Sequence, residues 1–240
     1  MTVSYIVVIP ARYKSSRFPG KPLIDLNGKT MIQRTYDQCL KCFPKEKVFV
    51  ATEDNRIVDH CNSLGMNVIL TSDNCLTGTD RIAEVAKIID VDYYINVQGD
   101  EPLFNPSDLC LLLEEIKKEK GQIINGYCNI TSEEDFFSTS IPKVVIRPDG
   151  RLLYMSRSPI PGNKSKDFNM GCRQVCAYAF PKEELIQFSS IQTKTPLENE
   201  EDIEILRFLE MGYDVKMIQM SDESIAIDNP EDVYKVLAKL

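Results

Sequence analysis

Residues 5–23 read YIVVIPARYKSSRFPGKPL. The first five form an apolar run without the in-out alternation of a half-solvated strand, so they read as a strand covered on both faces. Pro10 closes the run. Behind it come Arg12, Lys14, Arg17 and Lys21, a dense basic stretch in a chain whose net charge is −8. A buried strand that empties into a cationic loop is the start expected of an open, parallel α/β sheet. In such a sheet ligands collect at the carboxyl ends of the strands.

The segments that follow keep this rhythm. MIQRTYDQCLKC (31–42) has helical spacing at Met31, Ile32, Tyr36 and Leu40, KVFVAT (47–52) is strand-like and DNRIVDHCNSLG (54–65) is helical. NVILT, TDRIAEVAKII and DYYINV alternate again as strand, helix and strand, with QGDEP as the last strand's exit turn. In NPSDLCLLLEEIKKEK, Asn105 is placed for an N-cap, Pro106 for the first helical position and Asp108 for the positive helix end. The alternation predicts right-handed βαβ units. The expected fold class is α/β, a mostly parallel sheet with helices on both faces.

The second half changes character. KVVIRPDGRLLYMSRSPIP (143–161) reads as a β-hairpin turning at PDG, with one arm free to leave the main sheet. CRQVCAYAF is a further strand. PLENEEDIEILRFLEMG (196–212) reads as one helix with an acidic start and Gly212 at its end. DVKMIQM and ESIAID read as strands, and NPEDVYKVLAKL repeats the Asn-Pro helix start. For TGTDR the plainer reading, set beside a functional one, is a helix start with Thr79 as its cap. One domain spanning 1–240 is expected, with a β-rich insertion around 140–180.

Composition narrows the function. The chain of 240 residues is 43% hydrophobic and 27% charged, which suffices for an ordinary core. The acidic net charge argues against a nucleic-acid-coating surface. No apolar run approaches the ~20 residues needed to cross a bilayer. With no basic-then-apolar leader pattern at Met1, a cytoplasmic protein is expected, with no membrane and no nucleic acid among its partners. The eight cysteines read as free thiols, with Cys39, Cys61, Cys110 and Cys128 in apolar-periodic stretches as core residues. The sole histidine, His60, rules out a multi-histidine metal site on inventory.

The strand-end rule picks out three places: the basic loop, Gly99–Asp100 after DYYINV, and Asp228 after SIAI. Arg and Lys pair with phosphate oxygens, and Gly20 lets backbone approach a polyphosphate closely. Two carboxylates without histidine suit a hard cation such as Mg²⁺, shared with substrate phosphates. Metal and lysine together neutralise charge developing on a phosphoryl group, which points to nucleotidyl transfer from a nucleoside triphosphate. The loop is not a Walker A sequence. Taken singly, each feature has a plainer reading: a solvated loop, a turn, a helix-entry residue.

Taken together, IPARYKSSRFPGKPL, TGTDR, NVQGDEP, YMSRSPIP and IDNPED resemble the 3-deoxy-manno-octulosonate cytidylyltransferases (CMP-Kdo synthetases), in order and over nearly the whole chain. The CMP-sialic acid synthetases are more distant, since their first loop differs. The resemblance implies a Rossmann-like nucleotidyltransferase α/β fold and a homodimer, with its dimerisation region in the 140–180 insertion. It also implies Mg²⁺, CTP and a 3-deoxy-2-ulosonic acid (Kdo or a modified Kdo), with a CMP-sugar and pyrophosphate as products and lipopolysaccharide or capsule assembly as the destination. It puts Ala11, Arg12, Ser16, Arg17 and Lys21 on the nucleotide, with Lys21, Arg17 and Asp100 as the catalytic set. Thr79, Arg81 and Gln98 lie near the cytidine or its ribose. Asp100 and Asp228 hold Mg²⁺. Arg157, Gln174, Tyr178 and Glu204 face the small anionic sugar acid. Two departures concern the sugar side. RQVCAY has Gln174 where the family usually has histidine, and IEILR has Ile205 where it tends to have glutamine. A site that reads hydroxyls changes specificity when its polar groups change, so a modified octulosonate or another ulosonic acid is expected. The alternatives are that both changes lie behind the sugar and Kdo is still used, that the same CTP machinery serves a different sugar acid such as a sialic-acid-like nonulosonate, or that the chain binds nucleotide or sugar without turnover.

Overall fold

The basic loop leaves the sheet where the first strand ends, and the rest of the chain is arranged around that edge. The computed structural model describes residues 3–14 and 18–240. Two expected nucleotide ligands, Ser16 and Arg17, lie outside the described residues.

In chain order the elements are β1 (Tyr5–Ala11), β2 (Asp25–Leu26), β3 (Lys29–Thr30), α1 (Met31–Leu40), β4 (Val48–Thr52), α2 (Asn55–Ser63), β5 (Val68–Leu70) and α3 (Gly78–Ala86). Then come β6 (Tyr93–Val97), α4 (Pro106–Lys118), β7 (Ile123–Asn129), α5 (Glu133–Phe137), β8 (Lys143–Ile146), β9 (Leu152–Ser156) and β10 (Cys172–Pro181). The chain closes with α6 (Lys182–Ser190), α7 (Pro196–Glu201), α8 (Ile205–Glu210), β11 (Val215–Gln219) and α9 (Asp232–Leu237).

The main sheet runs β11-β7-β10-β6-β1-β4-β5. β1 is parallel to β4 and to β6, β4 to β5, and β11 to β7. β10 runs antiparallel between β6 and β7, so the sheet is mixed. β8 pairs with β10 and with β9, which carries the predicted PDG hairpin off the main path.

Both faces are covered, which explains the unbroken apolar strands. From β1, Val7 and Ile9 pack on one side with Ile32, Tyr36 and Cys39 of α1 and Leu109, Leu112 and Ile116 of α4. Ile6 and Val8 pack on the other with Ile82, Ala83 and Val85 of α3, Leu185 and Phe188 of α6, and Phe208 of α8. A small third cluster joins Leu26 and Met31 to Ile227 and Val236, seating the C-terminal segment beside the basic loop.

Several expectations are corrected. The 196–212 helix is two short helices. Asp202 ends α7 in the left-handed region (φ 51°), and Arg157 satisfies the carbonyls that the break exposes, donating from Nε to Glu201 O and from Nη2 to Asp202 O. ESIAID forms no strand. Past β11 the chain crosses the carboxyl edge of the sheet, tied by side chains instead of a ladder. Asp108 accepts from the Ser221 amide and hydroxyl, Asn105 donates to Glu223, and the Ser224 hydroxyl donates to Glu101. Asn229 does not open the last helix; its N–H and that of Asp228 donate to Asp232, the first residue of α9. The cap of α3 is Thr77, in a reciprocal box with Asp80, and not Thr79. Cys110 is exposed, its Sγ 3.0 Å from that of Cys42, while Cys39, Cys61 and Cys128 are buried; all eight cysteines are free. Asn105 does cap α4 as expected, accepting from Ser107 N at 3.0 Å. No helix among the described residues is long and apolar enough to cross a membrane.

Candidate active site

The carboxyl ends of β1 and β6 meet at a backbone contact so tight that residue 99 must be glycine: a Cβ there would lie 2.7 Å from Pro10 O. This close approach brings the two exit loops to one crevice of about 210 Å³. Its walls include Ala11, Arg12, Lys21, Arg81, Gln98, Asp100 and Asp228, seven of the residues singled out from the sequence.

Lys21 follows Gly20, whose φ of 73° turns the loop back so that Gly20 N donates to Tyr13 O at 2.9 Å. The turn aims the lysine at both carboxylates. Its Nζ donates to Asp100 Oδ2 at 2.7 Å and lies 3.7 Å from Asp228 Oδ1. The lysine side chain is only 12% exposed. Asp228 reaches this point because Ile227 N donates to Asp100 O at 2.9 Å, pinning the C-terminal segment to the β6 exit. Two carboxylates brought this close repel unless a cation sits between them, and here the ammonium does.

A second ion pair forms the floor. Arg81 Nη2 lies 3.1 Å from Glu53 Oε2, with both side chains buried, and Arg81 Nη1 donates to the Thr71 hydroxyl and to Ser72 O. Glu53 Oε1 also accepts from Tyr13 N at 3.0 Å, so the pair ties β4's exit, α3 and the basic loop together. Glu53 escaped the sequence reading, although it directly follows a strand and so satisfied the same strand-end rule that found Asp100. Thr77 and Gly78 of the TGTDR motif complete this wall, together with Cys75 and Leu76, which were not anticipated.

The remaining expected residues among those described, Thr79, Arg157, Gln174, Tyr178 and Glu204, do not line this crevice. Thr79 is buried; its N–H donates to Glu204 Oε2 at 3.0 Å, and Gln98 Nε2 donates to Glu204 Oε1 at 3.1 Å. Burial pushes the Glu204 carboxyl above its ordinary value. Gln174 and Tyr178 are buried in β10. Gln174 Nε2 donates to Asn125 Oδ1 at 3.0 Å and to the Tyr178 hydroxyl at 3.1 Å. Asn125 Nδ2 donates to Val175 O and Ala177 O where β10 slips register against β7. Both Gln174 N–H groups are therefore occupied, and its Oε1 is the atom left for a ligand. Arg157 holds the α7–α8 break and donates to Thr139 O at 3.0 Å, leaving one N–H on each terminal nitrogen.

Glu101 shows how this edge responds to pH. Burial lifts its carboxyl to about 7, and the nearby Asp100 and Asp228 charges push the same way against Ser224 and Arg173. A carboxyl raised in the folded state contributes stability that is fully present below its unfolded value near 4.5 and is lost as pH climbs through 7. Glu101→Gln is expected to raise the unfolding free energy at pH 8 by on the order of 2–3 kcal/mol and to change little at pH 4. Urea titrations at the two pH values read this difference, and an equal effect at both would refute the assignment.

A cytidylyltransferase family pattern matches residues 6–221. The chain belongs to the cytidylyltransferase family. It is 39% identical to the 3-deoxy-manno-octulosonate cytidylyltransferase of Protochlamydia amoebophila, covering 98% of this chain and 94% of that one. It is 40% identical to the enzyme of the same name from Geobacter metallireducens, covering 97% and 96%. A solved CMP:2-keto-3-deoxy-manno-octonic acid synthetase complexed with CTP superimposes with a TM-score of 0.90 at 34% identity, over 98% of this chain and 97% of that one. The fold extends to HddC from Yersinia pseudotuberculosis, with a TM-score of 0.71 at 15% identity. This cytidylyltransferase is thus a nucleotidyltransferase of the α/β type read from its sequence.

Proposed function

We propose that the protein transfers CMP from CTP to a 3-deoxy-2-ulosonic acid, Kdo or a modified Kdo, and releases pyrophosphate. The sugar's anomeric hydroxyl attacks the α-phosphorus, the bond to the bridging oxygen of the pyrophosphate breaks, and the hydroxyl proton is lost to solvent. The printed names of the relatives support the reaction. The observation that carries it is the placement of Lys21 between Asp100 and Asp228 at the mouth of the crevice. That constellation is suited to polyphosphate: Arg12 and Lys21 line the crevice and offer donors to its oxygens.

The donor set fits Mg²⁺. Asp100 and Asp228 are hard oxygen ligands that converge on one point already held by a cation, and phosphate oxygens would complete the sphere. Mg²⁺ bound there would lower the negative charge on the triphosphate. Lys21 then faces the reacting phosphate with its ammonium, stabilising charge on the phosphoryl group and on the departing pyrophosphate. The buried Glu53–Arg81 pair holds the floor rigid beneath the nucleoside.

On the sugar side, Arg157 is read as the partner of the substrate carboxylate, and Gln174 and Tyr178 as readers of its hydroxyls. The protein is read as a cytoplasmic homodimer serving lipopolysaccharide or capsule assembly; the exposed Leu153 of β9 and Met170 are apolar groups suited to a subunit contact. Pyrophosphate release with CTP, Mg²⁺ and a panel of ulosonic acids tests the reaction. A CMP-linked product is expected with a 3-deoxy-octulosonate. Turnover with no ulosonic acid overturns the proposal, and a wide preference for unmodified Kdo overturns the reading of Gln174 and Ile205 as specificity changes.

A further inference from the structure

Gln98 lines the crevice with an amide that can turn either a donor or an acceptor toward a ligand. Two contacts decide which. A Cβ on Gly78 would come within 3.3 Å of Gln98 Nε2 and 3.4 Å of its Oε1, so the amide lies flat against the bare glycine backbone. Within that plane only a flip remains, and Glu204 Oε1 lies 3.1 Å from Nε2. Gln98 Nε2 is the end that donates to Glu204 Oε1, while the other Glu204 oxygen accepts from Thr79 N–H. The carbonyl Oε1 is then the end left for the crevice.

We infer that Glu204 is a positioning residue, which fixes the Gln98 amide so that the crevice presents a hydrogen-bond acceptor and selects a substrate group that donates. This rests on the cytidylyl-transfer reading for its kinetic consequences. Glu204 itself is not on the crevice wall. Its second oxygen takes Thr79 N–H at 3.0 Å, at the first turn of α3. Glu204 sits at the start of α8, just past the left-handed break at Asp202, and that break lets the carboxylate reach across to α3 and β6. A continuous helix over 196–212 would have no such turn. On this inference Glu204 acts through Gln98, where the family resemblance implies a direct contact with the sugar acid.

A double-mutant cycle separates the two roles. Glu204→Ala and Gln98→Ala are each expected to lower kcat/KM roughly 10- to 100-fold, as small misplacements of a substrate-facing group do. Both are expected to raise KM for the same substrate. The double variant should be no worse than the poorer single one. Glu204→Gln keeps an acceptor for Thr79 N–H but offers Gln98 an N–H, which inverts the Gln98 amide and should be as damaging as alanine. Exchanging the pair, with Gln98→Glu and Glu204→Gln together, restores an acceptor toward the crevice and should recover about tenfold over Glu204→Gln alone.

Losses that multiply in the double variant, or an exchanged pair worse than either single change, would mean that Glu204 touches substrate directly and would overturn the inference. A readout without turnover accompanies the cycle. The Gln98 side-chain NH₂ signals in a ¹H–¹⁵N spectrum should exchange slowly in the parent protein and quickly in Glu204→Ala, at equal melting temperature. Unprotected signals in the parent protein also overturn it. A parent protein that makes no pyrophosphate, yet protects these signals, would remove the proposed reaction and leave the orientation of Gln98 standing.

Discussion

Asp100→Asn is expected to lower turnover by about 10²–10³-fold or more, with little change in melting temperature. The substitution keeps the size of the side chain and one oxygen, so the backbone contacts that set the edge survive: Ile227 N to Asp100 O, and the Gly99–Pro10 approach. What disappears is charge. Lys21 loses the carboxylate that orients it at 2.7 Å, and the pair of acidic groups suited to Mg²⁺ becomes one. Pyrophosphate release, measured with saturating CTP over a range of Mg²⁺ concentrations, reads the effect. Turnover within threefold of the parent protein would remove Asp100 from the mechanism. Lys21→Ala acts on the same point from the other side, leaving two carboxylates facing each other.

The largest effect on stability is expected at Arg207. Its side chain is fully buried under α8. Nε and Nη2 donate to the two oxygens of Glu198 at 2.7 and 2.6 Å, Nη1 donates to Asp80 at 2.8 Å, and the guanidinium lies 3.8 Å from the centre of the Phe188 ring. Glu198 is itself fully buried. Removing one partner of a buried ionic cluster leaves the others without compensation, at a cost of about 3–5 kcal/mol. Arg207→Met should lower the unfolding free energy by that amount in urea titrations. Adding Glu198→Gln should recover part of the loss, because the orphaned charge goes with it. A loss under 1 kcal/mol in Arg207→Met would show that the cluster is solvated. Asp80 is also half of the capping box of α3, so the same variant should loosen the crevice wall at Thr77 and Gly78.

Much of this architecture could be read along the chain, and the reasons are local. β1 and its cationic exit, the cap and first turn of α4, and the PDG hairpin rest on neighbours a few residues apart. Apolar periodicity, N-cap chemistry and turn residues report such features directly. The departures share the opposite cause. The strand β7, whose sequence IINGYCN mixes polar and apolar residues, went unread because its polar Asn125 is satisfied by carbonyls of β10, some fifty residues away. ESIAID has strand propensity, yet its segment is held by side chains of α4 and the β6 exit. The 196–212 stretch has helical periodicity, but Arg157 from β9's end stabilises a break within it.

The site divides in the same way. The chain alone determined which residue types follow β1 and β6, a lysine after Gly20 and an aspartate after Gly99, and it picked out a second aspartate near the C-terminus, although the strand expected before Asp228 does not form. It thereby determined that one crevice carries cationic and acidic groups suited to a nucleoside triphosphate. Only the tertiary structure decided that Lys21 lies between the two carboxylates and that Glu53 anchors Arg81. The same holds for Glu204, which stands behind Gln98 and not on the crevice wall. Those arrangements depend on pairings that run from 28 positions apart, for Glu53 and Arg81, to 207, for Lys21 and Asp228, and no local periodicity encodes the direction in which a long side chain, once buried, must turn to find its partner.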